Sequence, residues 1–321
     1  MPSKSRQIPK YKPLSHGRPP LLSKKKGTPR SFTSKATRSL IRTHHHLQKQ
    51  HAAALKASDT AKAQEIEKAI ARNGGLELYQ AASIKGQSAE RGGDSSRILV
   101  KWLQEGGLLN PLSSAATSSD SVSREKNVSG KVRHKVLEIG ALSTSNAIAR
   151  FAELDVTRID LHSQDPAIET QNFMQRPVPA SSLEMFDIIS LSLVLNYVQD
   201  ASSRGQMLRR TCDFLLPPEH TGDATGTSRS SSADTQAQSL LPALFLVLPA
   251  PCVTNSRYLT EEHLTLIMQS LGYVRTHKKL SPKLVYYLWR YEGERKGTGV
   301  KVLKKVLRDG GGRNNFCIIL E

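Results

Sequence analysis

One apolar strand ends at Gly140, and the next ends at Asp160, twenty residues later (160 − 140). At that spacing a turn without side chains and a carboxylate can serve one nucleoside ligand. The turn lets the ligand approach the backbone, and the carboxylate accepts protons from the sugar hydroxyls. The number of glycines decides which nucleoside fits. A pyrophosphate needs close backbone approach at several positions, hence G-x-G-x-x-G, but Gly140 is followed by Ala141, Leu142, Ser143, Thr144 and Ser145. S-adenosylmethionine has no phosphate and carries a sulfonium cation, so it tolerates a turn with one glycine and suits a nearby acid such as Glu138. It is the expected cofactor, and a nicotinamide-dependent oxidoreductase is disfavoured. A plain structural turn in which Asp160 only caps a loop has the same spacing and remains open at this point.

Three other groups of side chains invite a chemical reading. The long apolar stretch Phe186–Leu195 exits into Asn196-Tyr197-Val198, outside the carboxyl end of a strand, where open α/β sheets bind ligands. Asn196 is the candidate to hold a substrate base and Tyr197 to stack on it, although both also suit turn and packing roles. Ser190 and Ser192 read as strand filler, because no histidine partner is indicated for a nucleophile. His44, His45, His46 and His51 suggest a metal, but adjacent helical residues point about 100° apart and no Cys or carboxylate is near. They are expected to be solvated or to face RNA, with no metal bound. The three cysteines, Cys212, Cys252 and Cys317, are too far apart for a disulfide scaffold or a zinc ribbon.

Positioning these groups takes a sheet. Strand, turn, helix-like run to Glu153 and second strand (Thr157–Leu161) are followed by buried apolar strands at 186–195 and 244–248. A helix is expected over 204–216, and Thr260-Glu261-Glu262 opens another that stops at Gly272. Val285–Trp289 and Phe316–Leu320 are expected to close the fold as an antiparallel pair. The whole predicts an α/β, Rossmann-like, seven-stranded methyltransferase sheet over 131–321, with 217–239 as a low-complexity insertion. Upstream, Leu40, Leu47 and Ala54 recur every seventh residue, and Asn73-Gly74-Gly75 ends a second helix that Ser58-Asp59 caps. The span 37–112 is therefore expected to be a helical extension that packs on the body, and Ser-rich 113–130 a linker.

Charge separates a tail from this body. Of 46 Lys and Arg, thirteen fall in residues 1–50, which hold no acid; the rest of the chain carries 33 basic against 28 acidic side chains. Residues 1–36 have too few aliphatics to bury and are expected to be a disordered basic tail. Its Lys24-Lys25-Lys26 run suits RNA phosphates or nuclear import. No apolar run approaches the roughly 20 residues that span a bilayer, so an intracellular, soluble protein without a membrane partner is expected.

The blocks LEIGALS (137–143), RIDLHSQDP (158–166), FMQRPVP (173–179) and FDIISLSLVLNYVQDASSRGQML (186–208) resemble the fungal 25S ribosomal RNA adenine-N1 methyltransferases, as do GLELYQAASIKGQS (75–88) and RGGDSSRILVKWL (91–103). The resemblance implies a nucleolar enzyme that methylates N1 of an adenine in large-subunit rRNA, naked or in a pre-ribosome, with S-adenosylmethionine contacts at Gly140 and Asp160. Animal relatives of that family are regarded as S-adenosylmethionine sensors. The alternative is therefore a catalytically silent sensor or ribosome-assembly factor.

Overall fold

The computed structural model describes residues 33–86, 94–110, 133–163, 165–218, 240–293 and 301–321. Lys24, Lys25 and Lys26, most of the expected basic tail, the linker and nearly all of the 217–239 insertion lie outside the described residues.

Four helices come first: α1 (Ser34–Lys56), α2 (Thr60–Arg72), α3 (Gly75–Gly86) and α4 (Ser96–Glu105). Side-chain caps fix two of their starts. Thr33 Oγ1 accepts the Ala36 N–H at 3.2 Å, and Asp59 Oδ1 accepts the Lys62 N–H at 3.0 Å. Ala54, Ala63 and Ile66 make a small core between α1 and α2.

The sheet follows: β1 (His134–Ile139), β2 (Leu154–Asp160), β3 (Glu169–Thr170) and β4 (Ile188–Ser192), then α5 (Ala201–Cys212), β5 (Ala243–Pro249), α6 (Pro251–Thr254), α7 (Glu261–Ser270), β6 (Tyr273–Leu280) and β7 (Leu284–Tyr291). Strand order is β3-β2-β1-β4-β5-β7-β6, parallel except that β7 runs antiparallel to both β5 and β6. This is the expected seven-stranded methyltransferase-like α/β sheet.

Strand alternation splits the apolar residues between two faces. Leu137, Ile139, Ile189, Leu191, Leu244 and Leu246 pack with Met207 and Leu208 of α5 and Leu264, Ile267 and Met268 of α7. Val136, Ile188, Phe245 and Val247 face the other way, onto Leu99, Val100, Trp102 and Leu103 of α4. Burying those four α4 side chains is worth roughly 6–12 kcal/mol against leaving them exposed. Helix α4 is thus one layer of the fold.

Two expectations are corrected. The run after Gly140 is not an α-helix: Ala147–Arg150 is a single 3₁₀ turn, and α4 covers the sheet face that a longer helix would otherwise occupy. The hairpin partner of β7 is β6, not Phe316–Leu320. The C-terminal residues stay outside the sheet: an isolated bridge joins Asn314 to Ser256, and a second, Val302 to Leu320, closes the segment on itself.

Candidate functional site

Because β1, β2 and β4 are parallel, Gly140, Asp160 and Asn196 all leave the sheet at its carboxyl edge. Gly140 has φ +75°, and a Cβ there would sit 2.4 Å from Val194 Cγ2. Glycine is therefore required twice over, by the backbone and by the neighbour. Its N–H donates to the Ile159 carbonyl at 2.8 Å, and the Ala141 N–H donates to the same oxygen at 3.2 Å. These bonds hold the bare turn beside the end of β2.

Asp160 accepts the His162 N–H through Oδ1 at 2.8 Å, while its carbonyl accepts the Gln171 N–H at 2.8 Å and joins the loop to β3. No donor among the described residues engages Oδ2. Burial raises the carboxyl pKa, partly offset by the His162 N–H. Asp160 lines a cavity of about 220 Å³ with Ala141, Leu142, His162, Ser163, Asp165 and Ile168, and α3 adds Gln80 and Ile84. Gln80 is buried and donates Nε2 to the His162 carbonyl, so the helical extension is tied to the cavity rim. Asp165 accepts the Ala167 N–H at 2.9 Å and lies 3.5 Å from Thr144 Oγ1.

The lining suits one class of ligand. Among the described residues it holds two carboxylates and neither Lys nor Arg, a balance that suits a sulfonium better than a pyrophosphate. Ile168, Leu142 and Ile84 offer apolar walls to a purine. Among the described residues nothing donates to Asp160 Oδ2, which leaves it as an acceptor for a ribose hydroxyl. These residues fit an S-adenosylmethionine-type cofactor.

The exit of β4 is strained. Leu193 has φ +58°, which costs a side-chain-bearing residue on the order of 1–3 kcal/mol. It is held there by its N–H on the Val247 carbonyl at 2.9 Å. Asn196 Oδ1 is buried with no hydrogen-bond partner among the described residues. Tyr197 keeps 39 % of its surface exposed, yet one ring face is covered by His45 of α1, with centroids 4.1 Å apart and 18° between planes. His44 stacks on Tyr79 at 4.5 Å. The expectation of solvated histidines is thereby corrected for these two: His44 is buried and His45 half-buried, and burial lowers both pKa values, that of His45 to about 4. Among the described residues no group of three or more His, Cys, Asp or Glu is placed to hold a metal.

The family described as 25S rRNA (adenine(2142)-N(1))-methyltransferase, Bmt2, matches residues 64–318. This chain belongs to that family. It is similar to the 25S rRNA adenine-N(1) methyltransferase of Schizosaccharomyces pombe, 35 % identical over 281 residues, covering 87 % of this chain and 89 % of that protein. The 25S rRNA (adenine(2142)-N(1))-methyltransferase of Saccharomyces cerevisiae is 35 % identical over 252 residues, covering 78 % of this chain and 61 % of its own length. Among solved structures, an O-methyltransferase family protein from Burkholderia thailandensis is similar at 12 % identity, covering 80 % of this chain and 72 % of that one with a TM-score of 0.40.

Within the part of the chain that the 25S rRNA methyltransferase family matches, the sequence-derived residues divide. Asp160 lines the cavity; Gly140 does not, and its turn reaches the cavity through the next residue, Ala141. Glu138 does not line it. Its side chain points to the α4 face, where Asn146 Nδ2 donates to Oε1 at 2.6 Å and Arg158 Nε lies 3.4 Å from Oε2. Burial pushes its carboxyl up to about 7, against the pull of Asn146 and Arg158. Asn196 lies at the next strand exit, at the same sheet edge. Ser192 pairs with Ser95 at 2.7 Å, a structural contact between β4 and the start of α4.

Sequence reasoning missed three contributors and singled out His45 without its place at the β4 exit. Gln80 and Ile84 come from a helix more than fifty residues away in the chain, and no local pattern marks them. Asp94 is the third: it accepts the Ser96 N–H at 2.6 Å and the Ala147 N–H at 2.8 Å, joining α4 to the turn after β1. The α1 histidines precede the segment that the family match covers.

Proposed function

We propose that this chain is an S-adenosylmethionine-dependent methyltransferase that modifies N1 of an adenine in large-subunit rRNA, met as naked RNA or within a pre-ribosomal particle in the nucleus and nucleolus. The acid-lined cavity at the ends of β1 and β2, with no Lys or Arg among its described residues, in a chain of this family, carries the reading. In the same reading the chain divides into a basic tail (1–36) with Lys24–Lys26 on RNA, a helical extension (37–112), a linker (113–130) and a methyltransferase domain (131–321).

Bound S-adenosylmethionine supplies an electrophilic methyl group on a sulfonium sulfur. Asp160 binds the ribose, the bare Gly140 turn gives it room, and Ile168 and Leu142 exclude water from the purine. Glu138 works indirectly, by fixing Asn146 and the turn that follows Gly140. The target adenine leaves its stack and takes the place of His45 on the Tyr197 ring, with Asn196 Oδ1 accepting from the exocyclic amine. The N1 lone pair lies in the ring plane and needs no prior deprotonation, so no general base is required and positioning does most of the work. The base becomes positive as N1 gains the methyl group, which makes the acceptor on Asn196 more favourable late in the reaction.

One observation favours a second reading, a cofactor-binding protein without transfer activity: His45 covers the Tyr197 face on which a base would stack. Reverse transcription through large-subunit rRNA separates the two, because N1 methylation blocks pairing and stops the copy. Cells without the protein should lose one stop, restored by wild type and not by Asp160→Ala. Persistence of every adenine stop in those cells overturns the proposal.

A further inference from the structure

The carboxyl edge of the sheet carries more than the cofactor cavity. Leu284, the first residue of β7, is opposite Pro249, the last of β5, so the β6–β7 turn lies at this edge; the Ala250 N–H donates to the Lys283 carbonyl at 2.8 Å. The C-terminal segment is laid along the same edge by three anchors. Arg308 donates to the carbonyls of Thr254 at 2.9 Å and Leu259 at 2.8 Å. Asn314 Nδ2 donates to the Pro251 carbonyl at 2.7 Å. Arg204 donates to the carbonyls of Cys317 at 2.7 Å and Val198 at 2.8 Å, which brings the segment to the loop that follows Asn196 and Tyr197.

These pieces are strongly basic. Segments 257–262, 278–283 and 301–315 hold nine Lys or Arg and three Asp or Glu, a net of +6 (9 − 3). Of the three acids, Glu261 is already paired with Arg275 and Lys278. Arg308 is spent on backbone carbonyls, so it shapes the segment and does not neutralise it. Lys279, Lys283, Lys301, Lys304 and Lys305 are exposed, and Lys304 Nζ lies 4.5 Å above the Tyr258 ring. Leu303 is 67 % exposed between these lysines, where an unstacked base would find an apolar surface. Such a charge excess, with aromatic and apolar side chains interleaved, matches a polyanion whose bases are partly unstacked.

We infer that the β6–β7 turn and the 301–308 stretch form an RNA-backbone rail, which grips phosphates flanking the target adenine and feeds the strand past Tyr197. The inference rests on the proposed rRNA substrate and assigns it a contact surface distinct from the N-terminal tail. It predicts that Lys301→Glu/Lys304→Glu/Lys305→Glu, in the full chain, weakens binding of transcribed large-subunit rRNA by about 100-fold near 0.1 M salt. The slope of log affinity against log salt should fall by about 2 to 3, roughly one per lost phosphate contact. S-adenosylmethionine affinity and melting temperature should stay at wild-type values. Lys279→Glu/Lys283→Glu, on a different element, should reproduce part of the effect and guards against a local folding fault in the first variant. RNA affinity and salt slope at wild-type values in both variants overturn the rail and leave this edge to an acidic protein partner. Wild-type protein that binds rRNA along the rail but never methylates it refutes the enzyme reading and leaves the rail standing.

Discussion

The imidazole of His45 and the phenol ring of Tyr197 lie face to face, 4.1 Å apart and 18° from parallel, although 152 residues (197 − 45) separate them in the chain. The contact brings α1 against the β4 exit and puts a neutral ring where a flipped base would stack. Its neutrality is built in: burial lowers the His45 pKa to about 4, and the His44 charge adds to the effect.

This histidine makes docking of α1 sensitive to acid. A histidine with a folded pKa below its unfolded value, about 6.5, takes up protons more readily when unfolded. Stability is therefore intact above pH 6.5 and falls as pH drops toward 4. Buried Glu138 acts in the opposite direction, with its pKa raised to about 7, so that its cost grows as pH climbs from 4.5 through 7. The difference between wild type and His45→Phe isolates the histidine. Between pH 6.5 and 4 the melting temperature of wild type should drop more than that of the phenylalanine variant. Parallel curves would contradict the buried neutral ring.

Asp160→Ala removes the acceptor at the cavity and the bond from the exposed His162 N–H, which water can replace. A hydrogen bond to a charged group is worth about 1.5–3 kcal/mol, so calorimetric titration should show S-adenosylmethionine binding weakened about 10- to 100-fold. The melting temperature without cofactor should barely change. Equal affinity in the two proteins would remove Asp160 from the site.

Gly140→Ala meets two obstacles: Val194 Cγ2 at 2.4 Å from the new Cβ, and φ +75°. Adding Val194→Ala clears the space and leaves the backbone penalty, about 1–2 kcal/mol. The double variant should regain part of the stability lost in the single one, and cofactor affinity should recover in step. A single variant with wild-type melting and binding would show that the turn tolerates a side chain.

How legible the molecule is in its sequence depends on how local each cause is. Gly140 and Asp160 follow from spacing, because a strand, a turn and a second strand fix their separation. The apolar strands β4 and β5 announce themselves by composition. β6 does not: Val274-Arg275-Thr276-His277-Lys278-Lys279 reads as polar because it is an edge strand whose residues are mostly half-buried or exposed. Phe316–Leu320 is apolar enough for a strand, but it packs around α5, where Gly205 leaves space: a Cβ there would lie 1.8 Å from the Ile319 carbonyl oxygen. The expected helix after Gly140 gives way to one 3₁₀ turn because α4 fills that face. His45 and Gln80 reach the site through tertiary packing alone.

Asp94 tests that substitution of layers. It accepts backbone N–H groups at the start of α4 and at the 3₁₀ turn, so Asp94→Ala leaves both donors without their partner. The expected loss is about 3–6 kcal/mol, summing two bonds to a charged acceptor, read by denaturant unfolding. Asp94→Asn should recover part of it. A loss below about 0.5 kcal/mol would mean that α4 is held by its apolar face alone.

The most direct test of the central claim is transfer itself. Purified protein, labelled S-adenosylmethionine and unmodified large-subunit rRNA are combined, and the labelled nucleoside is identified by digestion and mass spectrometry. Label should appear as 1-methyladenosine at one position with wild type, and Asp160→Ala should lower the labelling about 10- to 100-fold at the same subsaturating cofactor concentration. Label on another base or another adenine nitrogen, or none from wild type on either naked rRNA or pre-ribosomal particles, would contradict it.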